Sequence, residues 1–404
     1  MAAGVYIHIP FCKSRCSYCD FATDVYRDSG AVERYVNALC GEIRNFSPRI
    51  CADDADKNLR SDLRHRVLSA AGDVEPDALA GRVPAFHSID TIYFGGGTPS
   101  LLEAGQVERI LGAVRDVFDV AGDVEITMEM NPATVTEESL GAYRSLGVNR
   151  ASFGVQTFNE RDLKLLARGH DANDARETFR SLREAGFDNV SFDLIAGLPG
   201  QTMDDWRRNL DEAVVMRPEH LSLYLLEVHE GTPLATQLQS GRRPMPDEEL
   251  AAEMYETMID TLAAAGYQQY EISNFARPAF ESRHNTKYWR LEPVYGFGVS
   301  AHSFDGVERY ANERDTLKYV NLIERTGIAE VYRESIDAAS EAVFLGLRLN
   351  EGIELDEYKA WFGSDLKDKA AELEEKGLVE TVSGRLRLTR RGMLFSNEVF
   401  AEFV

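Results

Sequence analysis

Short apolar runs alternate with amphipathic stretches over the first half of the chain. Each run has the length of a buried strand, and each stretch repeats its apolar positions at the period of a helix. The predicted strands are residues 5–9, 91–94, 125–130, 150–155, 189–195 and 220–225. The predicted helices are residues 32–44, 107–118, 137–145, 172–185 and 204–216.

This β/α alternation predicts an α/β fold with a parallel sheet and right-handed crossovers. Six units suggest an incomplete (β/α)6 barrel, and an open doubly wound sheet is the alternative. In a barrel the active site lies at the carboxyl ends of the strands.

Two segments depart from this rhythm. Residues 47–88 are rich in Asp, Arg and Ala without a clear strand, and we interpret them as an insertion over the first crossover. Beyond about residue 330 the pattern changes to helices at 338–347 and 366–376, followed by a hairpin-like stretch at 377–389. We therefore expect a barrel domain with an extension over 1–330 and a small α+β, winged-helix-like domain over 331–404.

Composition and charge narrow the possible functions. The chain has 404 residues, 44% of them hydrophobic, and a formal net charge of -23. This acidity argues against a broad nucleic-acid surface, because such surfaces need clustered Lys and Arg. No apolar run is long enough to span a bilayer, and the first residues lack the pattern of a signal peptide. We expect a cytoplasmic protein whose winged tail is structural or docks a partner.

Three cysteines carry the candidate chemistry. Cys12, Cys16 and Cys19 follow the first predicted strand at the spacing Cys-x3-Cys-x2-Cys. Three thiolates suit three irons of a 4Fe-4S cubane, which leaves the fourth iron open to the amino and carboxylate groups of S-adenosylmethionine (SAM). Electron transfer from the cluster to the sulfonium then breaks a carbon–sulfur bond and releases a 5'-deoxyadenosyl radical.

Zinc is the alternative interpretation of the cysteines. Structural zinc normally takes four Cys or His ligands, and no second pair follows at finger spacing. His8 is close in sequence but fits a packed strand position better than a ligand position. We interpret the remaining cysteines, Cys40 and Cys51, as ordinary thiols.

With the glycine-rich loop of residues 95–99, Gly-Gly-Gly-Thr-Pro, the cysteine motif resembles the radical SAM superfamily. Matches from Tyr6 to about Arg309 are similar to the group that contains coproporphyrinogen dehydrogenases and HemW-type heme chaperones. The resemblance implies a set of SAM contacts. They are Tyr6 beside the cluster, Gly96, Gly97 and Thr98 in the loop, Glu129 at the methionine part, Gln156 and Asp193 at the ribose, and Arg168 at the carboxylate.

Three features favour the chaperones within that group. The dehydrogenases carry a further cysteine where this chain has Phe21, and they have a longer segment before the cysteines. His284, Tyr288 and Trp289 match the His-Asn-x-x-Tyr-Trp motif that the resemblance associates with heme, and imidazole can ligate heme iron. His302 is a second candidate ligand.

Three functional hypotheses remain at this point. The favoured one is a heme chaperone with heme as cargo, recipient hemoproteins and an electron donor as partners, and membrane contact only through partners. The second is an oxygen-independent coproporphyrinogen III oxidase, which decarboxylates two propionates. The third is a winged-helix regulator that uses the cluster as a sensor.

Overall fold

The computed structural model describes residues 2–25, 28–46 and 88–403. The predicted insertion over 47–88 lies outside these residues, apart from Ser88 at the start of a strand.

The described strands form one large sheet and two small ones. They are β1 Ala3–Ile9, β2 Phe11–Cys12, β3 Asp24–Val25, β4 Ser88–Gly96, β5 Asp119–Met130, β6 Arg150–Gln156, β7 Val190–Ala196, β8 His220–Leu225, β9 Gln268–Glu271, β10 Asn274–Ala276, β11 Val294–Phe297, β12 His302–Phe304, β13 Glu308–Asn312, β14 Glu330–Ser335, β15 Ile353–Glu354, β16 Val379–Val382 and β17 Arg385–Leu388.

The described helices fall mainly between the strands of the large sheet and in the C-terminal part. They are α1 Ser29–Asn45, α2 Ala104–Val117, α3 Glu137–Ser145, α4 Glu160–Leu165, α5 Ala172–Glu184, α6 Met203–Met216, α7 Pro233–Gln239, α8 Glu248–Ala264, α9 Arg283–Trp289, α10 Thr316–Thr326, α11 Ala338–Gly346, α12 Leu355–Phe362, α13 Lys367–Glu375, α14 Arg390–Leu394 and α15 Ser396–Ala401.

The large sheet has the strand order β14-β13-β12-β11-β1-β4-β5-β6-β7-β8-β10-β9. Strands β1, β4, β5, β6, β7 and β8 are parallel neighbours in sequence order, so the order does not reverse as it does in a doubly wound sheet. The prediction of an incomplete (β/α)6 barrel is confirmed. Strand β11 adds to β1 in parallel, and antiparallel strands continue the sheet at both ends.

Local sequence explains the barrel elements. All seven residues of β6 are buried, as expected of a parallel strand covered on both faces. Helix α2 buries Val107, Ile110, Leu111 and Val114 at the i, i+3, i+4, i+7 spacing of a helix with one apolar face. Helix α5 is capped by Asp171, whose side chain accepts from the backbone N–H of Asp174. The six predicted strands and five predicted helices are all confirmed.

The C-terminal part has a core of its own. Helix α13 and the β16–β17 hairpin enclose a cluster that includes Leu373, Val379 and Leu386. Helices that lead into a hairpin agree with the predicted winged-helix pattern. Strand β14 crosses the predicted boundary at residue 330 and pairs with β13 in the large sheet.

Candidate functional site

The cysteine loop is fixed between the end of β1 and the end of α4. Cys12 lies in β2, which pairs with β3, and the backbone N–H of Cys19 donates to the carbonyl oxygen of Cys16 at 3.4 Å. Between them, the Ser17 hydroxyl donates to the carbonyl oxygen of Leu165 at 2.9 Å. The three thiols are half-buried and free of disulfides. The three cysteines therefore lie on a single loop at the carboxyl ends of the barrel strands.

Two side chains from the barrel reach the thiols. The Thr98 hydroxyl donates to the sulfur of Cys12 at 3.6 Å, and an Arg168 Nη donates to the sulfur of Cys16 at 3.3 Å. Burial raises the pKa of the Cys12 thiol, while the Thr98 hydrogen bond and the Arg168 charge act in the opposite direction. Burial also raises the pKa of Cys19. Donors aimed at sulfur are the groups that stabilise thiolates bound to a metal.

The glycine loop brings backbone close to the cysteines. The Gly97 N–H donates to the carbonyl oxygen of Ile9 at 2.7 Å, and a Cβ at Gly97 would overlap the backbone of Pro10 and Phe11. Gly96 has φ +108°, and a Cβ there would overlap the His8 ring. Both positions therefore require glycine for a close approach.

Glu129 lies inside the barrel next to this loop. It accepts from the Tyr93 hydroxyl at 2.8 Å and from the Gly96 N–H at 3.1 Å. Burial raises the pKa of Glu129 to about 7, and the Asp193 charge acts in the same direction. A buried carboxylate of this kind is a ready acceptor for a cationic ligand group.

Tyr6 stacks on Tyr93 with ring centroids 6.1 Å apart, and its hydroxyl donates to Nδ1 of His8 at 3.1 Å. His8 in turn donates from Nε2 to the carbonyl oxygen of Ala22 at 2.9 Å, so both of its ring nitrogens are used. His8 is a packed strand residue that holds the cysteine loop, in agreement with the sequence prediction.

Arg168 joins the cysteine loop to the barrel wall. Its second Nη donates to Oδ1 of Asn131 at 2.6 Å and to the carbonyl oxygen of Gly154 at 2.7 Å, and Asn131 donates to the Thr98 hydroxyl at 2.7 Å. The Nε of Arg168 is buried without a partner among the described residues. This N–H is therefore left as a donor for a ligand.

Gln156 is the last residue of β6, whereas Asp193 is the central residue of the neighbouring β7. Gln156 ends β6 with φ +68° after a register shift, and its amide lies over Gly154. Asp193 of β7 is opposite Gly154 in the register, and burial raises the pKa of Asp193 to about 6. The bulge turns the Gln156 amide back across β6.

Comparisons with known proteins agree with this geometry. A profile of the radical SAM superfamily matches residues 6–213, and one of the HemN C-terminal domain matches residues 334–395. The heme chaperone HemW of Bacillus subtilis is 35% identical over 411 residues, which cover 99% of this chain and 99% of that protein. The chain belongs to the HemW family of radical SAM proteins.

Two proteins of Escherichia coli are also similar. Its heme chaperone HemW is 36% identical over 300 residues, covering 74% of this chain and 69% of that protein. The solved structure of its coproporphyrinogen III oxidase HemN, described as a radical SAM enzyme, superposes with a TM-score of 0.78 at 24% identity, covering 100% of this chain and 90% of that one. The likeness to HemN supports the fold alone.

Membership of the radical SAM superfamily implies a 4Fe-4S cluster and SAM, and the site fits both. The loop supplies three thiols with donors aimed at two of them, and the Nε of Arg168 is an unsatisfied donor beside them. Within the described ranges, no trio of Cys, His, Asp or Glu side chains is arranged around a single ion. In a cubane each thiolate would bind a different iron, so the three thiols need not converge on one ion.

The HemW-type motif His284-x3-Tyr288-Trp289 lies on α9, inside the barrel and away from the cysteines. Nδ1 of His284 is 2.9 Å from the Thr91 hydroxyl and Nε2 is 3.1 Å from the Tyr288 hydroxyl, and the ring is only 1% exposed. Burial, with Lys287 nearby, lowers the pKa of His284 to about 3. Heme iron would reach Nε2 only after the Tyr288 contact opens, so the heme role predicted for the motif stays a prediction.

Trp289 faces the other way. It packs against the cluster of Leu291, Phe304 and Leu345, and the Arg348 guanidinium lies 4.3 Å from its ring. The motif therefore links the barrel interior to the C-terminal part.

Three residues of this HemW-family site were not anticipated from the sequence. Tyr93 in β4 and Asn131 directly after β5 orient Glu129 and Arg168. Arg150 of β6 is 1% exposed, and two of its nitrogens lack partners among the described residues. Arg150 could have been found from the sequence, because it is a charged residue at the start of an otherwise apolar run.

Proposed function

We propose that this chain is a heme chaperone that holds a 4Fe-4S cluster and SAM, binds heme and delivers it to hemoproteins in the cytoplasm. The observation that carries the proposal is the 35% identity to the Bacillus subtilis heme chaperone HemW over 99% of both chains. Among the described residues, no helix has the length and apolar content to cross a membrane. Recipient hemoproteins and an electron donor for the cluster are the partners that this function requires.

We further propose a role for each residue of the cofactor site. Cys12, Cys16 and Cys19 bind three irons. Glu129, with the Gly96–Thr98 loop and Tyr6 beside it, takes the methionine part of SAM. Gln156 and Asp193 accept from the ribose hydroxyls, and Arg168 donates to the carboxylate.

When bound, the cluster and SAM supply one-electron reduction of a sulfonium, chemistry that no side chain offers. The residues of the chain bind, orient and shield them. Arg168 is suited to its role because its Nε has no partner among the described residues, and because Asn131 and Gly154 fix the rest of the guanidinium. Glu129 is held by two donors, so its carboxylate is oriented before SAM arrives.

The division of the chain into a barrel with its extension over 1–330 and a C-terminal domain over 331–404 is also a proposal. Its support is that the main apolar cluster runs from Ala3 to Ala329, whereas the second cluster is drawn from Val343 to Val399 together with Ile272. Because β14 runs to Ser335, the link between the two domains follows that strand.

The oxidase hypothesis has less support. The position after the cysteines that carries a further cysteine in the dehydrogenases is Phe21 here, and its side chain is 65% exposed on the cluster loop. A radical enzyme needs its substrate hydrogen fixed close to the reacting centre, and a displacement of about 1 Å can reduce the rate on the order of a hundredfold. We expect no useful conversion of coproporphyrinogen III.

One anaerobic reconstitution tests the proposal. Wild type, Cys12→Ala and the control Cys40→Ala are loaded with iron and sulfide, then titrated with heme and assayed with coproporphyrinogen III and SAM. We expect a cluster in wild type and Cys40→Ala but not in Cys12→Ala, because Cys40 is buried in α1 away from the loop. We also expect stoichiometric heme binding without vinyl products. Repeated decarboxylation of coproporphyrinogen without heme binding would refute the chaperone function.

A further inference from the structure

The inner face of the barrel strands is polar. Side chains alternate between the two faces of a strand, and Glu129 of β5 is opposite Ser152 of β6. Asp193 of β7 is opposite Gly154, the next inward residue of β6. Buried polar residues occupy further inward positions of β4 to β8, namely Thr91, Thr127, Arg150, Ser191, His220 and Ser222. The interior of a (β/α)8 barrel is usually packed with branched apolar side chains, whereas this one presents polar groups to a ligand.

Arg150 is a buried cation on this inner face. It is 1% exposed, and its Nε and one Nη have no partner among the described residues. The hydroxyl of Thr127, which is opposite Arg150 in the register, has no partner there either. A charge taken out of water is unfavourable unless opposite charges lie nearby. Arg150 therefore depends on negative charge within the barrel.

Strand order places Arg150 between two carboxylates. Strand β6 lies between β5 and β7, which carry Glu129 and Asp193. Because Glu129 is opposite the next inward residue of β6, its Cα is about 8 Å from that of Arg150 at the usual strand spacing and rise. Between Arg150 and the level of Asp193, β6 presents the small residues Ser152 and Gly154 inward. The long arginine side chain therefore has room to extend toward both carboxylates.

The charge of Arg150 acts on both carboxylates. Desolvation raises the pKa of Glu129 to about 7 and the Asp193 charge adds to this, whereas the Arg150 charge lowers it. Desolvation also raises the pKa of Asp193 to about 6, and Arg150 and Arg168 act in the opposite direction. Glu125 faces the same space from β5 and accepts from the backbone of α9. Arg150 thus favours the charged form of two carboxyl groups that are close to protonation at neutral pH.

The histidines and tyrosines around the two carboxylates are neutral near pH 7. Burial and the Arg150 charge lower the pKa of His220 and His284, with Lys287 also acting on His284. For the tyrosines, desolvation of the hydroxyl raises the pKa above the usual 10, and this holds for Tyr6, Tyr18, Tyr93, Tyr224, Tyr270 and Tyr288. These side chains therefore do not compete with the two carboxylates for protons in the neutral range.

The proposed contacts with SAM need charged carboxylates. An ionised carboxylate accepts from an ammonium or a hydroxyl through both oxygens, whereas the protonated group has one acceptor position fewer. Glu129 and Asp193 must therefore be charged together, although each charge disfavours the other. A cation paired directly with either group would occupy oxygen atoms that the ligand needs. Arg150 acts from the preceding inward position, without an ion pair to either among the described residues.

We propose that Arg150 is a positioning residue of the SAM site, whose unpaired guanidinium keeps Glu129 and Asp193 ionised without occupying their oxygen atoms. The inference rests on the proposed SAM contacts of these two carboxylates and assigns the group that sets the pH range in which they bind. Arg150 itself does not touch SAM.

The test measures the SAM affinity of the full-length, cluster-loaded protein by anaerobic equilibrium dialysis from pH 6 to pH 8.5. Wild type is compared with Arg150→Met and Arg150→Gln, which remove the charge, and with Arg150→Lys, which retains it. We expect both neutral variants to bind SAM about tenfold more weakly at pH 7, because loss of the opposite charge raises the carboxylate pKa by about one unit. The loss should shrink toward pH 8.5 as both carboxylates ionise.

The ratio of variant to wild-type affinity at each pH cancels the titration of SAM itself. Arg150→Lys should restore most of the affinity at pH 7. The matched control is Arg277→Met, because the Nε of Arg277 also has no partner among the described residues and its guanidinium lies 5.3 Å from the centroid of the Tyr267 ring. This control should follow the wild-type pH profile.

Iron and sulfide content should be the same in all these proteins, since no cysteine contact is removed. If the neutral variants keep wild-type affinity at pH 7, lose affinity by the same factor at every pH, or are matched by Arg150→Lys, the inference is overturned while the SAM site stands. If wild type with a complete cluster binds no SAM, the proposed contacts fail and the inference with them.

Discussion

At the scale of single residues, the barrel interior is notable for carboxylates that are buried before any ligand is present. Glu129 is half-buried in the barrel, and desolvation of its carboxylate raises its pKa to about 7 while Asp193 adds to the effect. Arg150 is the nearby cation that opposes this shift, and it forms no ion pair with either carboxylate. Ionisation of Glu129 is therefore unfavourable in the protein without a ligand, and a cationic ligand group would offset this cost.

This charge predicts a pH-dependent stability for the cofactor-free protein. Between the usual Glu pKa of 4.5 and about 7, the unfolded chain loses a proton that folded Glu129 retains, so the stability falls as the pH rises through that interval. The Gln side chain cannot ionise, so Glu129→Gln should not lose stability in this way. Relative to wild type, its free energy of unfolding should increase by on the order of 3 kcal/mol between pH 5 and pH 8.

Urea unfolding of both proteins at the two pH values measures this gain. Because Glu42 and Asp193 also titrate in the interval, the difference between the variant and wild type is the relevant quantity. Equal pH dependence of the two proteins would contradict the shifted pKa.

At the scale of elements, β9 and α9 both meet the C-terminal part of the chain at Arg348. Glu271 at the end of β9 is fully buried and pairs with Arg348 at 3.3 Å, and Arg348 also covers the Trp289 ring. The backbone N–H of Ile272 donates to the carbonyl oxygen of Arg348 at 3.2 Å. The contact between the barrel and the C-terminal part thus depends on Arg348, whose guanidinium pairs with Glu271 and also packs on the Trp289 ring.

Arg348→Ala should therefore destabilise the whole protein by about 3 kcal/mol or more, because it leaves the Glu271 carboxylate buried without its cation. The matched control is Arg290→Ala, since Arg290 pairs with Glu351 at 3.2 Å and both side chains are about half exposed. Such surface pairs contribute about 1 kcal/mol or less. Denaturant unfolding compares the two variants, and equal losses would show that the domain contact lies elsewhere.

At the scale of the whole molecule, the net negative charge favours the chaperone hypothesis over the regulator hypothesis. The net charge is -23, and the winged-helix-like region after residue 330 also contains more acidic than basic residues. Binding to duplex DNA depends on cations that neutralise phosphates.

We expect no binding of duplex DNA at physiological salt, measured by fluorescence anisotropy with the cluster present and absent. Sub-micromolar binding that weakens steeply with added salt would favour the regulator instead.

The sequence by itself determined what is local or periodic. Strands and helices of the barrel were readable because burial on one or both faces imposes a period on adjacent residues. The cysteine loop and the glycine loop were readable because each function lies within a few consecutive residues. Gln156 and Asp193 were named through the family resemblance, and of the two only Gln156 stands at the end of its strand.

Only the tertiary structure decided which side chains meet across the barrel. Thr91 and His284 are 193 positions apart and bond at 2.9 Å, and no local pattern indicates that contact. The extension from β11 to β14 escaped prediction because its strands have three to six residues and mixed polarity, so their pairing is fixed by neighbours rather than by their own period. His284 on α9 is buried and His302 of β12 is exposed, although both are histidines near aromatic residues in sequence. Accessibility is a property of the assembled sheet, because it depends on the elements that close over each residue.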